Sequence, residues 1–158
     1  MADQAWVAQR TTTSGPGTNP TYPDGVSTER LQQLRGVGPI IATALVAAVG
    51  KGEQFANGRQ MSAAFGLTPR QHSSGGNERL LGISTRGDAY LRVLLIHGAR
   101  SVIRTSKDKD DRLSQWVTRL AARSHPNVAV VAMANKTTRM AWAMLRNGTV
   151  YQPALPTR

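Results

Sequence analysis

Residues 34–42 read Leu-Arg-Gly-Val-Gly-Pro-Ile-Ile-Ala, and this stretch decides how the first part of the chain folds. Its two glycines permit backbone conformations that a Cβ atom would hinder. Pro39 suits the first turn of a helix, where its missing N–H leaves no hydrogen bond unmade. Upstream, Ser27 is the expected N-cap of a short helix. The stretch therefore predicts helices at 28–34 and 39–50, joined by a tight glycine turn.

This arrangement over residues 28–50 resembles the helix-hairpin-helix, a motif that binds DNA phosphates without reading the base sequence. The second helix would turn its free N–H groups and the positive end of its dipole outward, which favours a phosphate group. Gly36, Val37 and Gly38 are therefore candidate nucleic-acid contacts, because glycines let a nucleic-acid backbone come close. The alternative interpretation is an ordinary tight turn between two packed helices.

The charge of the chain is strongly positive and unevenly distributed. Its 158 residues suit one domain, and 40% of them are hydrophobic, which predicts a folded core. Lys and Arg number 20 against 9 Asp and Glu, a formal net charge of +11. Residues 1–64 hold five basic and four acidic side chains, whereas residues 65–158 hold fifteen and five. The second part favours a polyanionic partner, although a ribosome-associated or membrane-surface protein would share this feature.

Several classes of function have no support in the sequence. The chain has no Cys, which excludes disulfides and thiolate metal sites. No apolar run reaches the ~18 residues of a membrane span, and the first residues lack the pattern of a signal peptide, so we expect a cytoplasmic protein with no membrane partner. His72, His97 and His125 stand apart, without the spacing of metal ligands. Glycine-rich nucleotide-binding fingerprints are also missing.

The pattern of apolar residues predicts an all-α domain over 28–151, between a disordered N-terminal arm at 1–27 and a tail at 152–158. Glycine, proline and capping residues place the helix ends. Beyond the first two helices, four more are predicted at about 58–65, 88–104, 111–123 and 126–146. The exception is 66–87, which we predict to be a long irregular loop with a short strand-like anchor at 80–83.

Two adjacent serines in this loop are candidate nucleophiles. Ser73 and Ser74 precede two glycines, which would leave room for a DNA strand. The arginines around them, Arg70, Arg79 and Arg86, could hold the non-bridging oxygens of a phosphodiester under attack. An unassisted hydroxyl is a weak nucleophile, and no base is evident nearby. A polar linker is the alternative interpretation of the same residues.

The order of several short strings along the chain resembles a known family. They occur at 34–42, 65–69, 73–76, 82–88, 90–92, 95–100 and 134–140. Together they are similar to the C-terminal transposase domain of the IS110/IS116/IS902 family, the DEDD-type insertion-sequence transposases guided by a bridge RNA. The match covers about residues 28–151, nearly all of the chain that is expected to fold.

This resemblance implies a chemistry for the serine loop. In the family, a RuvC-like domain with four metal-binding carboxylates precedes this helical domain, and a serine attacks DNA to form a covalent phosphoserine. Ser74 is the best match to that serine, and Ser73 is the second. Magnesium is expected only in the RuvC-like domain, so this chain is expected to hold no cofactor of its own.

The resemblance also implies further contacts to nucleic acid. Arg70 and Arg86 are expected to face nucleic acid, and Lys136 and Arg139 on the last predicted helix are additional candidates. Arg100 completes the set, because it lies on one face of the predicted helix at 88–104 together with other basic residues.

The predicted function is therefore the DNA-binding C-terminal domain of a transposase, or site-specific DNA recombinase. It carries the serine but lacks the RuvC-like half, so we expect it to be inactive alone. DNA is the expected partner, a bridge RNA is implied for the full-length family, and a homo-oligomer is compatible with the sequence. The alternatives are a non-catalytic helix-hairpin-helix module, a transposon remnant, and a basic structural or ribosome-associated protein.

Overall fold

The computed structural model of the chain describes residues 28–74 and 77–152, with the backbone alone over 71–74 and 77–81. The described part contains six helices and one two-stranded antiparallel hairpin. In chain order these are α1 Thr28–Leu31, α2 Pro39–Val49, α3 Gly58–Ala64, β1 Pro69–Ser74, β2 Asn77–Ile83, α4 Ala89–Arg104, α5 Arg112–Arg123 and α6 Pro126–Asn147. The predicted helical class and all six predicted helices are confirmed.

The N-terminal ends of the later helices are set by short polar side chains. The Asp88 carboxylate accepts a hydrogen bond from the Leu91 N–H at 2.9 Å, which caps α4. Asp111 caps α5 by accepting from the Ser114 N–H at 3.1 Å. Each cap satisfies an N–H that the helix itself leaves without a partner, so the sequence could place these starts within a residue.

The longest helix, α6, forms the centre of the domain. It packs against α3, α4 and α5, and its inward face is made of small and flexible apolar residues. Met133, Ala134 and Ala141 are fully buried there. Such a face lets neighbouring helices approach closely, and Met fills the irregular gaps between them. The core that results includes the buried residues of α2, at Ile41, Ala42, Leu45, Val46 and Val49.

The segment 66–87 is where the structure differs from the sequence prediction. Instead of a long irregular loop, it contains β1 and β2, which pair antiparallel. The predicted anchor at 80–83 is part of β2. The Gly-Gly pair is compatible with the predicted loop and with a polar linker, yet two short runs separated by two glycines also form a hairpin signal. The backbone hydrogen bonds of a hairpin do not require apolar side chains, so composition concealed this element.

Part of the predicted organisation lies outside the described residues. This applies to the disordered arm at 1–27, with the Ser27 cap, and to the tail from residue 153 onward. The domain boundaries therefore stay predictions. Among the described residues, no helix is both long and apolar enough to cross a membrane.

Candidate nucleic-acid interface

The glycine turn between α1 and α2 packs against α4. Gly36 has a φ of 83°, a conformation that residues with a Cβ rarely adopt. A Cβ atom at this position would lie 2.7 Å from the Gly98 carbonyl oxygen and 2.7 Å from Val102 Cγ2. A Cβ at Gly98 would in turn overlap the carbonyl oxygen of Gly36. The two glycines therefore permit a backbone-to-backbone contact that fixes the turn on the helix.

Only one side of this turn is open to a ligand. Val37 is 5% exposed and belongs to the core, and its N–H donates to the Leu34 carbonyl at 3.0 Å. By contrast, no atom lies within 4 Å of a Cβ built at Gly38, and Ile40 is 68% exposed. The sequence predicted open space for a nucleic-acid backbone beside Gly36 and Gly38, and the structure has such space beside Gly38 but not beside Gly36. Gly36 and Val37 have packing roles, and their contact with nucleic acid stays a prediction.

The guanidinium of Arg35, next to the turn, is hydrogen-bonded to residues at and just before the start of α5. Its Nη1 donates to the two carboxylate oxygens of Asp111 at 2.9 and 3.0 Å and to Ser114 Oγ at 2.7 Å. Its Nη2 donates to Ser106 Oγ at 3.1 Å. The Asp111 carboxylate is half-buried and joins the turn to α5. Charge-assisted bonds of this kind are strong enough to hold the turn in place.

The same contacts set the protonation of Asp111. Burial raises the pKa of this carboxyl, but hydrogen bonds from the Ser114 hydroxyl and N–H, together with the Arg35 guanidinium, outweigh burial and lower the pKa below its ordinary value of 3.8. Asp111 is therefore a carboxylate at neutral pH, and it keeps Arg35 engaged.

The strand register places the candidate serines at the tip of the hairpin. Ser74 is the last residue of β1 and pairs with Asn77, the first residue of β2. Ser73 pairs with Glu78. Among the described residues, neither strand packs extensively against a helix. The serines thus occupy the end of an element that is anchored to the helical body at its base.

The register separates the three arginines expected around the serines. Arg79 pairs with His72, two positions from Ser74, or about 7 Å along a strand. Arg70 lies four positions from Ser74, about 13 Å away, and its side chain is exposed. Arg86 follows the end of β2 and is exposed at the base. Of these three arginines, only Arg79 lies within two strand positions of Ser74.

The base of the hairpin is closed by a second tight backbone contact. Gly87 has a φ of 97°, and a Cβ there would overlap the carbonyl oxygen of Ala64 at the end of α3. The Ser84 N–H donates to the Thr68 carbonyl at 2.8 Å. Arg92 Nη1 donates to the Phe65 carbonyl at 3.2 Å. These contacts hold both ends of the hairpin against α3 and α4, so the base is fixed.

Arg100 lies on the outer face of α4, away from the hairpin contacts. It is exposed, and so are His97 and Arg104 on the same face. Tyr90 and Val93 extend this exposed face toward the start of the helix. These basic residues therefore share one face of α4, and that face is exposed; its partner stays a prediction.

Lys136 and Arg139 are brought together with a residue that the sequence did not single out. They line a cleft of about 590 Å³ between α3 and α6, together with Arg59. Gly58 allows this proximity, because a Cβ there would lie 2.9 Å from the Arg139 Cα. Arg59 and Arg139 are 80 residues apart in sequence, so only the packing of α3 on α6 shows that they share a site.

Comparison with known proteins places this chain among insertion-sequence transposases. It is 51% identical over 125 residues to a probable family 20 transposase of Pseudomonas aeruginosa, which covers 79% of this chain and 37% of the relative. It is 48% identical over 124 residues to the transposase of insertion sequence element IS1111A of Coxiella burnetii, covering 78% and 34%. A Yersinia enterocolitica transposase, of element IS1328, is 40% identical over 128 residues, covering 81% and 38%.

The family itself follows from a match over residues 28–114, from α1 into α5, to the transposase IS116/IS110/IS902 family. The chain belongs to this family, as its ordered strings predicted. It spans a little over a third of the length of the curated relatives that it matches. What those whole proteins do is therefore applied to this chain only as a proposal.

Proposed function

We propose that this chain is a DNA-binding domain of a transposase and that a serine at the tip of its hairpin is the nucleophile of DNA strand transfer. The observation that carries the proposal is the position of Ser73 and Ser74 at the end of β1 in a member of a transposase family. A hairpin anchored at its base can present its tip to a DNA strand without disturbing the helical core.

The proposed step is a transesterification at phosphorus. The oxygen of the serine hydroxyl forms a bond to phosphorus, and the bond from phosphorus to one sugar oxygen breaks. The hydroxyl proton passes to a general base, and the leaving oxygen takes up a proton. The product is a phosphoserine that keeps the energy of the DNA linkage for rejoining.

The register suggests different roles for the arginines. Arg79, two positions from Ser74, suits the phosphate under attack, whose non-bridging oxygens gain charge in the transition state. Arg70 and Arg86 at the base suit flanking phosphates of the same strand, since ~13 Å corresponds to about four nucleotides at ~3.4 Å each. Gly38 and the exposed start of α2 offer a further backbone contact.

The base that activates the serine belongs elsewhere in this proposal. Among the described residues, no group of three His, Asp or Glu side chains could hold a metal ion. We propose that a RuvC-like half, in the same longer protein or in a separate chain, holds magnesium and activates the hydroxyl. The chain alone is then expected to bind DNA without forming the covalent link.

Covalent capture tests the proposal. The chain is combined with a RuvC-like half, magnesium, guide RNA and target DNA, and the adduct is detected by denaturing gel and by mass spectrometry of the serine peptide. Ser74→Ala is expected to abolish the adduct, and Ser73→Ala is the matched control. Loss with Ser73→Ala alone would move the nucleophile by one residue. An adduct that survives both substitutions would overturn the assignment and favour a non-catalytic binding module.

A further inference from the structure

Helix α5 carries a row of arginines on its outer face. Arg112, Arg119 and Arg123 recur at i, i+7 and i+11, within about 20° of one line along the helix, and all three are exposed. Leu113 and Val117 are buried on the inner face. The helix contains no Asp or Glu, so its outer face has only positive charge.

A lysine from α6 joins this row. Lys136 Nζ lies 4.7 Å from the centroid of the Trp116 ring. Trp116 stands four residues after Arg112 and three before Arg119, so its ring lies beside the arginine row. The cation–π contact therefore brings the α6 ammonium group to the side of α5 that adjoins the arginine row.

Lys136 also connects the row to the cleft between α3 and α6. It lines that cleft with Arg59 and Arg139. Lys136 thus links positive side chains from three helices, and we name this set the basic band. Its members are Arg59 of α3, Arg112, Arg119 and Arg123 of α5, and Lys136 and Arg139 of α6.

Most cations of the band have no acidic partner among the described residues, although Arg119 Nε donates to the Gln115 carbonyl and Lys136 lies over Trp116. In the described part of the chain, no ion pair involves Arg59, Arg112, Arg123 or Arg139. Elsewhere on the molecule, Arg35 is paired with Asp111 and Arg146 with Glu53. Six cations gathered on one face repel one another, and a polyanion relieves this repulsion.

The dimensions and chemistry of the band favour a nucleic-acid duplex. Arg112 and Arg123 are about 16 Å apart along the helix axis, which corresponds to about five phosphates of one strand. Trp116, the aromatic ring beside the arginine row, is half-buried and has Lys136 over one face, so that face is not available for base stacking. Single-stranded sites usually depend on such stacking.

We propose that the basic band binds the phosphate backbone of duplex DNA, as a contact surface separate from the serine hairpin. Taking DNA as the partner rests on the proposed function; the location of the surface does not. Binding of this kind is independent of base sequence and positions the duplex, while the hairpin tip acts on one strand.

Duplex binding by the full chain, followed by fluorescence anisotropy at increasing KCl, tests the inference. The band variant combines Arg112→Gln, Arg119→Gln and Arg123→Gln. The control variant removes three cations that lie outside the band and outside the candidate nucleic-acid faces, through Lys51→Gln, Lys107→Gln and Lys109→Gln. Both lower the net charge equally, and circular dichroism checks that both fold.

The band variant is expected to lose about tenfold or more in affinity and to lower the slope of log K against log salt by about 2.7, since each lost phosphate contact removes about 0.9. The control variant is expected to stay within about twofold. Equal losses in the two variants, or no loss in the band variant, would overturn the inference. Tighter binding of single-stranded DNA or of duplex RNA, lost in the band variant, would overturn the assignment to duplex DNA.

The inference and the proposed function can fail separately. If the wild-type protein forms no phosphoserine adduct but the band variant loses duplex binding, the serine assignment is rejected and the inference about the band is supported. If the adduct forms and both triple variants bind duplex DNA equally, the inference about the band is rejected and the serine assignment is supported.

Discussion

Two regions of the molecule hold their residues in position in different ways. They are the glycine turn at 34–39 and the basic band on α3, α5 and α6. The turn is fixed by contact, because Gly36 touches the backbone of Gly98 and Arg35 is tied to Asp111. The band consists mostly of exposed cations with few contacts, with Lys136 half-buried beside Trp116, and their grouping is a consequence of helix packing. In the turn, a substitution should therefore change stability first, and in the band it should change binding first.

The largest effect is expected at Gly36. Gly36→Ala should lower the free energy of unfolding by about 3 kcal/mol or more, because a Cβ at positive φ is strained and would overlap Gly98 and Val102. Gly38→Ala, in the same turn but with open space around it, should change stability by less than about 0.5 kcal/mol. Urea denaturation of both variants measures the contrast. Equal effects would mean that the turn is not held by its contact with α4.

A smaller effect is expected where Arg35 joins the turn to α5. Arg35→Met removes the guanidinium that donates to Asp111 and to the hydroxyls of Ser106 and Ser114, while Asp111 keeps its bonds from the Ser114 N–H and hydroxyl. The loss should destabilise the protein by about 1 to 2 kcal/mol. The estimate is modest because the paired side chains are 23% and 31% exposed. The same denaturation experiment measures it.

Arg146→Met is the matched control for this ion pair. Arg146 and Glu53 are 3.3 Å apart with side chains 47% and 64% exposed, so their separation should change stability by less than about 0.5 kcal/mol. A loss with Arg146→Met as large as with Arg35→Met would show that the link to α5 has no special role in the turn.

Acid should weaken the turn before it affects the band. The folded-state pKa of Asp111 is lowered, so its contribution to stability is present above the unfolded value near 3.8 and is lost as the pH falls through the lower, folded value. Asp111→Asn should therefore be less stable than wild type at pH 6, and the difference should shrink below pH 3.8. Thermal melts between pH 6 and pH 2.5 measure the difference. A constant difference across this range would contradict the lowered pKa.

Local signals explain why the helices could be predicted from the sequence. The starts of α4 and α5 depend on Asp88 and Asp111, each of which bonds an N–H three residues ahead. The sequence does not predict the hairpin, because Ser-Ser-Gly-Gly is equally typical of a linker. The two strands also lack the alternation of apolar and polar residues by which strands are usually recognised. The two strands pair through backbone hydrogen bonds, and amino-acid composition does not indicate where these form.

The sites depend on long-range contacts that one sequence does not contain. Gly36 and Gly98 are 62 residues apart, and Arg35 and Asp111 are 76 apart. A Gly-x-Gly string is equally suited to a ligand and to a neighbouring backbone, so only the fold shows that Gly36 faces α4. Arg119 and Arg123 could have been recognised as part of an arginine row at helical spacing, but their link to Lys136 through Trp116 could not.

A small effect on stability, and the clearest separation of the two regions, is expected at Lys136. Its contact with Trp116 is half-exposed and contributes about 0.5 kcal/mol, so Lys136→Met should hardly change the urea midpoint. If Lys136 links the two parts of the band, the same variant should weaken duplex DNA binding several-fold and lower the salt slope by about 1. Lys136→Arg, which keeps the cation, should restore most of the binding. A variant that unfolded instead would show that the band, like the glycine turn, is held by packing, because removal of an exposed charge alone does not unfold a domain of this size.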